Sequence, residues 1–111
     1  MRDHTKLRAF ELADEVALLT YKTTAEFPKN EQFGLTSQMR RAAVSVPSNI
    51  AEGQGRGPGL DFIRFLRIAL GSLQETQTQL LLAVRIGYLS DEDIGSAIVL
   101  SGDVNQSSFI D

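Results

Sequence analysis

From Phe62 to Ile86 the apolar residues recur at helical spacing, and no other stretch constrains the fold as tightly. Phe62, Phe65, Leu66, Ala69, Leu73, Leu80 and Val84 make one helical stripe, and Ile63, Leu70, Leu81 and Ile86 widen it. Between Leu80 and Val84 the pattern is apolar on every side, so a helix here must be covered on every side. The spacing predicts a helix over 58–86, about 40 Å long at roughly 1.5 Å per residue. Pro58 suits its first turn, and Gly87 suits the left-handed residue that follows a helix end.

Three further segments share this period. Over 6–27, Leu7, Phe10, Ala13, Ala17, Leu18, Tyr21 and Ala25 line one face, with Asp14 among them, until Pro28 stops the helix. Over 36–53, Leu35, Met39, Ala42, Ala43, Val46 and Ile50 stay in phase across Pro47, which removes the amide that would bond the carbonyl of Ala43. Continuous phase favours one helix kinked at Pro47 over two short helices. The helix is expected to start near Thr36, a candidate N-cap, or slightly earlier, and Asn49 with Glu52 has the spacing of a capping box. Over 91–104, Ser90 caps a weaker stripe whose first turn holds Asp91, Glu92 and Asp93, and the polar tail beyond is expected to fray. The only strand-like alternation, "AVSVPS", is short and broken by proline. Four helices with short connections predict an all-α, antiparallel up-down four-helix bundle, one domain over 1–111. Three helices and a disordered tail is the alternative.

With 111 residues and no cysteine, the chain can build one core without staples, and disulfides, thiolate metal sites and a cysteine nucleophile are excluded. The N-terminal stretch reads as no signal peptide, and the longest aliphatic run is too short for a bilayer, so a cytoplasmic protein is expected. Charge is uneven. Residues 1–67 carry 10 basic and 8 acidic side chains, whereas 68–111 carry 1 and 6.

"NIAEGQGRGPG" invites a phosphate-loop reading and fails it. Pro58 stands where a dinucleotide fingerprint needs its third glycine, and no Gly-Lys-Ser/Thr occurs. Gly53 reads instead as a helix stop before a mobile corner. Ser45, Asn49 and Glu52 share a helical face, but with no histidine base they make no nucleophile set. Their expected role, with Pro47 and Gly53, is structural: polar side chains satisfying backbone groups around the break. His4, the single histidine, has no ligand-type partner at helical spacing and is expected to be solvated, so no metal or cofactor is anticipated. Arg40, Arg41, Arg56, Arg64 and Arg67 remain, set against only Glu52 and Asp61 between positions 40 and 67. Guanidinium forks bind phosphate bidentately, which makes these five the candidate nucleic-acid contacts. Alternatively Arg40, Arg41 and Arg67 pair with Glu52, Glu75 or acids of a neighbouring subunit.

Two segments carry a family resemblance. Ser45, Pro47, Asn49, Ile50, Ala51, Glu52 and Gly53 form one motif. Phe62, Phe65, Leu66, Ile68, Ala69, Gly71, Ser72, Leu73 and Glu75 form the other, and "GYLS" at 87–90 closes it. Together they resemble the bacterial four-helix bundle proteins of the ribosomal S23 type, encoded in intervening sequences of 23S rRNA genes, over about residues 6–94. That family is similar in fold to the accessory variability determinant of diversity-generating retroelements, a pentamer that binds nucleic acid and a reverse transcriptase. The resemblance implies a homopentamer associated with RNA or an RNA-handling protein, and the missing base, thiol, metal ligands and nucleotide loop lead us to expect no enzyme. The alternative is a protein-interaction scaffold whose arginines serve subunit contacts.

Overall fold

Local chemistry marks the ends of four helices in the computed structural model, which describes residues 4–108, with side chains from Leu7 onward. The expected solvation of His4 falls outside the described side chains. The elements are α1 (His4–Thr24), a single 3-10 turn (Lys29–Glu31), α2 (Leu35–Gly55), α3 (Leu60–Ile86) and α4 (Asp91–Ser108). Among the described residues there is no strand.

The start of α2 is capped by Glu31, not by Thr36. The Leu35 N–H donates to Glu31 Oε1 at 3.1 Å, and Gly34 stands at the N-cap. Pro47 lies inside one continuous α2, so the two-helix alternative does not occur. The helix also passes through Gly53 to Gly55, two residues beyond the expected stop. Gly53 is there for space. A Cβ on it would stand 3.1 Å from Phe65 Cβ and 3.3 Å from both Phe62 Cδ1 and the Phe62 carbonyl oxygen. The α3 helix begins at Leu60, after Gly59 at φ 114°, and ends at Gly87 in the left-handed region at φ 100°. At the start of α4, the Asp93 N–H donates to Ser90 Oγ (3.1 Å) and the Ser90 N–H to Asp93 Oδ2 (2.8 Å), a reciprocal cap. The polar tail is helical through Ser108 because Ser101 and Val104 are buried, the Ser101 hydroxyl donating to the Ala97 carbonyl at 2.7 Å.

Each helix runs antiparallel to its chain neighbour. Ser45 meets Ser72 and Gly53 meets Phe62 and Phe65, which fixes the register of the α2–α3 hairpin. The α1 helix packs on α2 and α4 and lies diagonal to α3. The core divides into two clusters along the 45 Å axis. One gathers Leu12, Val16, Val46, Ile50, Leu73 and Val104; the other gathers Met39, Leu80, Ala83, Ile94 and Ala97. Among the described residues no helix is long and apolar enough to cross a membrane.

One expectation from the sequence is left open by a single chain. Leu80 and Ala83 are fully buried, yet Leu81 and Leu82 next to them stay 51% and 44% exposed. Leu18, Tyr21 and Val44, on the α1/α2 face, are exposed as well. The bundle therefore leaves aliphatic side chains uncovered on two faces.

Candidate functional site

The motif residues of α2 build a polar bridge to α3. The Asn49 side-chain amide donates to the Ser45 carbonyl at 2.8 Å and to Ser45 Oγ at 2.9 Å, and the Ser72 hydroxyl donates to the same Ser45 Oγ at 2.9 Å. Asn49 therefore serves the interior of the helix instead of capping a second one. Its partner is the carbonyl of Ser45 and not the one freed by Pro47. Glu52 turns away from this bridge, its Oε2 taking Arg56 Nε at 3.1 Å one helical turn on.

Beside the bridge, Gln38, Arg41, Ala42, Ser45, Ser72 and Glu75 line an open polar cleft of about 490 Å³ between α2 and α3. Deeper in this seam, Gln79 Nε2 donates to Glu75 Oε2 at 3.2 Å. Ser72 and Gln38 escaped the sequence reading as site residues, and Glu75 entered it only as an alternative partner of the arginines. Ser72 and Glu75 stand in a quoted motif, but only the hairpin register brings them opposite Ser45 and Arg41.

The five arginines divide among four places. Arg40 closes the α1/α2 seam: its guanidinium lies 4.5 Å over the Tyr21 ring, its Nε donates to Thr24 Oγ1 at 2.9 Å, and Nη2 to the Tyr21 carbonyl at 3.3 Å. All its described partners are on α1, which suits a structural clasp better than an open phosphate contact. Arg56 and Arg64 meet at the α2–α3 corner, their guanidinium carbons 5.0 and 4.5 Å from the ring centre of Phe65. Arg56 pairs with Glu52 at 3.1 Å and Arg64 lies 3.9 Å from Asp61. Both pairs are solvent-exposed, and exposed pairs of this kind are worth little and exchange readily. Arg41 lines the polar cleft, Arg67 is exposed on α3, and neither makes an ion pair among the described residues. Four of the five thus remain accessible to a phosphate, while Arg40 is committed elsewhere.

On the opposite flank of α2 an apolar groove of about 430 Å³ runs between α1 and α2. Phe10, Leu18, Tyr21, Val44 and Pro47 form most of its walls, and Asp14 supplies its one charged side chain. At the far end of the bundle the Tyr88 hydroxyl donates to Glu31 Oε2 at 2.7 Å, and Tyr88 stacks at a tilt on Phe27 with ring centres 5.1 Å apart. The Leu35 amide, and after it the Tyr88 hydroxyl, hold the Glu31 carboxyl below its usual pKa; the same carboxylate, then burial, raise that of Tyr88. No group of three or more His, Asp or Glu side chains stands close enough to hold a metal ion among the described residues. The polar side chains of the cleft offer hydrogen bonds and charge, with no base paired to a nucleophile.

Residues 5–106 match the family model described as 23S rRNA-intervening sequence protein. A solved structure from Bacteroides thetaiotaomicron, a protein of unknown function from the S23 ribosomal protein family, is similar with a TM-score of 0.74 and 29% identity. The similarity covers 94% of this chain and 94% of that one. No curated protein matches.

Proposed function

The chain belongs to the 23S rRNA-intervening sequence protein family, and from that premise we propose that it is a non-enzymatic, self-assembling helical bundle that associates with RNA. The observation that carries the assembly is the uncovered aliphatic surface at Leu81 and Leu82 on α3 and at Leu18 and Val44 on the α1/α2 face. Surface of this kind on a chain of 111 residues supports an interface reading. Assembly as a homopentamer, the state implied by the resemblance, would repeat every arginine five times. RNA association is supported by Arg41, Arg56, Arg64 and Arg67, which stay accessible along α2 and α3 and offer bidentate donors to phosphate. A cysteine-free chain also suits a reducing cytoplasm.

A second reading, a protein-interaction scaffold with no direct nucleic-acid contact, is favoured by the commitment of Arg40 to α1 and by the net charge of −3. Filter binding of structured RNA across a salt series separates the two. The RNA reading expects affinity to fall steeply with salt, and the slope to shrink by about one for each phosphate contact removed as Arg41, Arg56, Arg64 and Arg67 become alanine. Affinity indifferent to salt and to these substitutions refutes it. Assembly without any RNA retention establishes the scaffold.

A further inference from the structure

We propose that the turn of α3 carrying Leu81, Leu82 and Arg85 docks into the α1/α2 groove of a second copy of this chain, head to tail. This rests on the self-assembly reading and names the two surfaces that meet. Thr78, Leu81, Leu82 and Arg85 follow i, i+3, i+4, i+7 spacing, the pattern by which one helix presents anchors to a groove. The two leucines are about half exposed on a helix whose local sequence is apolar on every side. The groove supplies the complementary shape. From Phe10 to Tyr21 it extends roughly 16 Å along α1, room for the roughly 12 Å between Thr78 and Ile86.

Charge gives the pairing its direction. Arg85 sits one turn beyond Leu81 and Leu82, is exposed, and makes no ion pair among the described residues. Asp14 is the groove's one charged lining residue, is exposed, and makes none either. An apolar pair flanked by a cation thus faces an apolar trough containing an anion. The chain cannot fill its own groove with α3, because α1 and α3 sit diagonally across the bundle and their backbones do not approach one another. A second copy can. Since anchor and groove lie on different surfaces, the contact is heterologous, and it repeats around a ring or along a filament instead of closing as a two-fold dimer.

Light scattering on mixed variants tests this directly. Asp14→Arg disables the groove and leaves the anchor; Leu82→Arg disables the anchor and leaves the groove. Each alone, with wild-type helicity by circular dichroism, is expected at the monomer mass of 12.2 kDa. Mixed, they should give a 1:1 complex of twice that mass and nothing larger, because only one competent interface remains. Leu81→Gln is a second anchor variant should Leu82→Arg lose its helicity, and Asp14→Arg combined with Arg85→Asp in one chain should restore the wild-type mass. A mixture that stays monomeric, or single variants that keep the wild-type mass, overturns the proposal. If the wild type is assembled while the variants are unaffected, only these surfaces are wrong. If the wild type itself is a monomer, the self-assembly reading fails and this inference with it.

Discussion

Gly53→Ala should destabilise this protein although it replaces glycine by the best helix former inside a helix. In an open position the change gains about 1 kcal/mol from backbone entropy and propensity. At Gly53 the new Cβ meets Phe65 Cβ at 3.1 Å and the Phe62 carbonyl and ring at 3.3 Å. The first and second of these are backbone or backbone-proximal atoms that move only if α2 and α3 separate, an overpacking cost of about 1–3 kcal/mol. The net expectation is a loss of about 0–2 kcal/mol. Gly95 provides the control: it lies inside α4 with nothing within 4 Å of its would-be Cβ, so Gly95→Ala should gain about 1 kcal/mol. The two alanine variants therefore differ by the steric cost alone, about 1–3 kcal/mol, or roughly 4–12 °C in Tm at about 4 °C per kcal/mol for a chain of this size. Urea and thermal melts at one fixed protein concentration measure it, the concentration held because assembly shifts apparent stability. Equal stabilisation by both substitutions would show that the close α2–α3 contact, and the hairpin register built on it, is wrong.

Two more expectations follow from side-chain contacts. Arg40→Ala should cost about 1–2 kcal/mol through loss of the Thr24 hydrogen bond and the Tyr21 stack, with RNA retention unchanged; urea melts and filter binding read the two effects separately. The Glu31–Tyr88 contact should respond to pH at both ends: Glu31, lowered in the folded state, contributes stability present above its unfolded pKa and lost as pH falls through the folded one. Tyr88, raised in the folded state, loses its contribution as pH climbs above the unfolded tyrosine value. Tyr88→Phe should flatten the alkaline response and weaken the acid one in a melt series across pH, while a wild-type-like acid response would leave the Leu35 amide as the sole cause.

Elements set by local periodicity were legible in the sequence, and those set by tertiary proximity were not. The α3 stripe, the Ser90 cap and the left-handed Gly87 depend on residues within a turn of one another, which a linear pattern records. Gly53 looked like a helix stop because glycine is common there, whereas its cause is the pair of phenylalanines it meets on α3. Asn49 and Glu52 had capping-box spacing, but their partners, Ser45 and Arg56, are chosen by a helix that continues. The arginines shared a stretch of sequence and not a surface: helical phase sends Arg40 to α1 and Arg41 to the α3 side, and Phe65 gathers Arg56 and Arg64 from two helices. The apolar pattern asks for cover on every side of α3 near Leu80–Val84, and one chain alone leaves Leu81 and Leu82 about half exposed.

That unmet requirement makes solution mass the most direct measurement. Chromatography with light scattering on the wild-type chain over a dilution series should give a discrete multiple of 12.2 kDa, five-fold for the pentamer, which persists to low concentration. A single species at 12.2 kDa throughout would contradict the account, since Leu81, Leu82 and the α1/α2 groove would then face water with nothing to cover them.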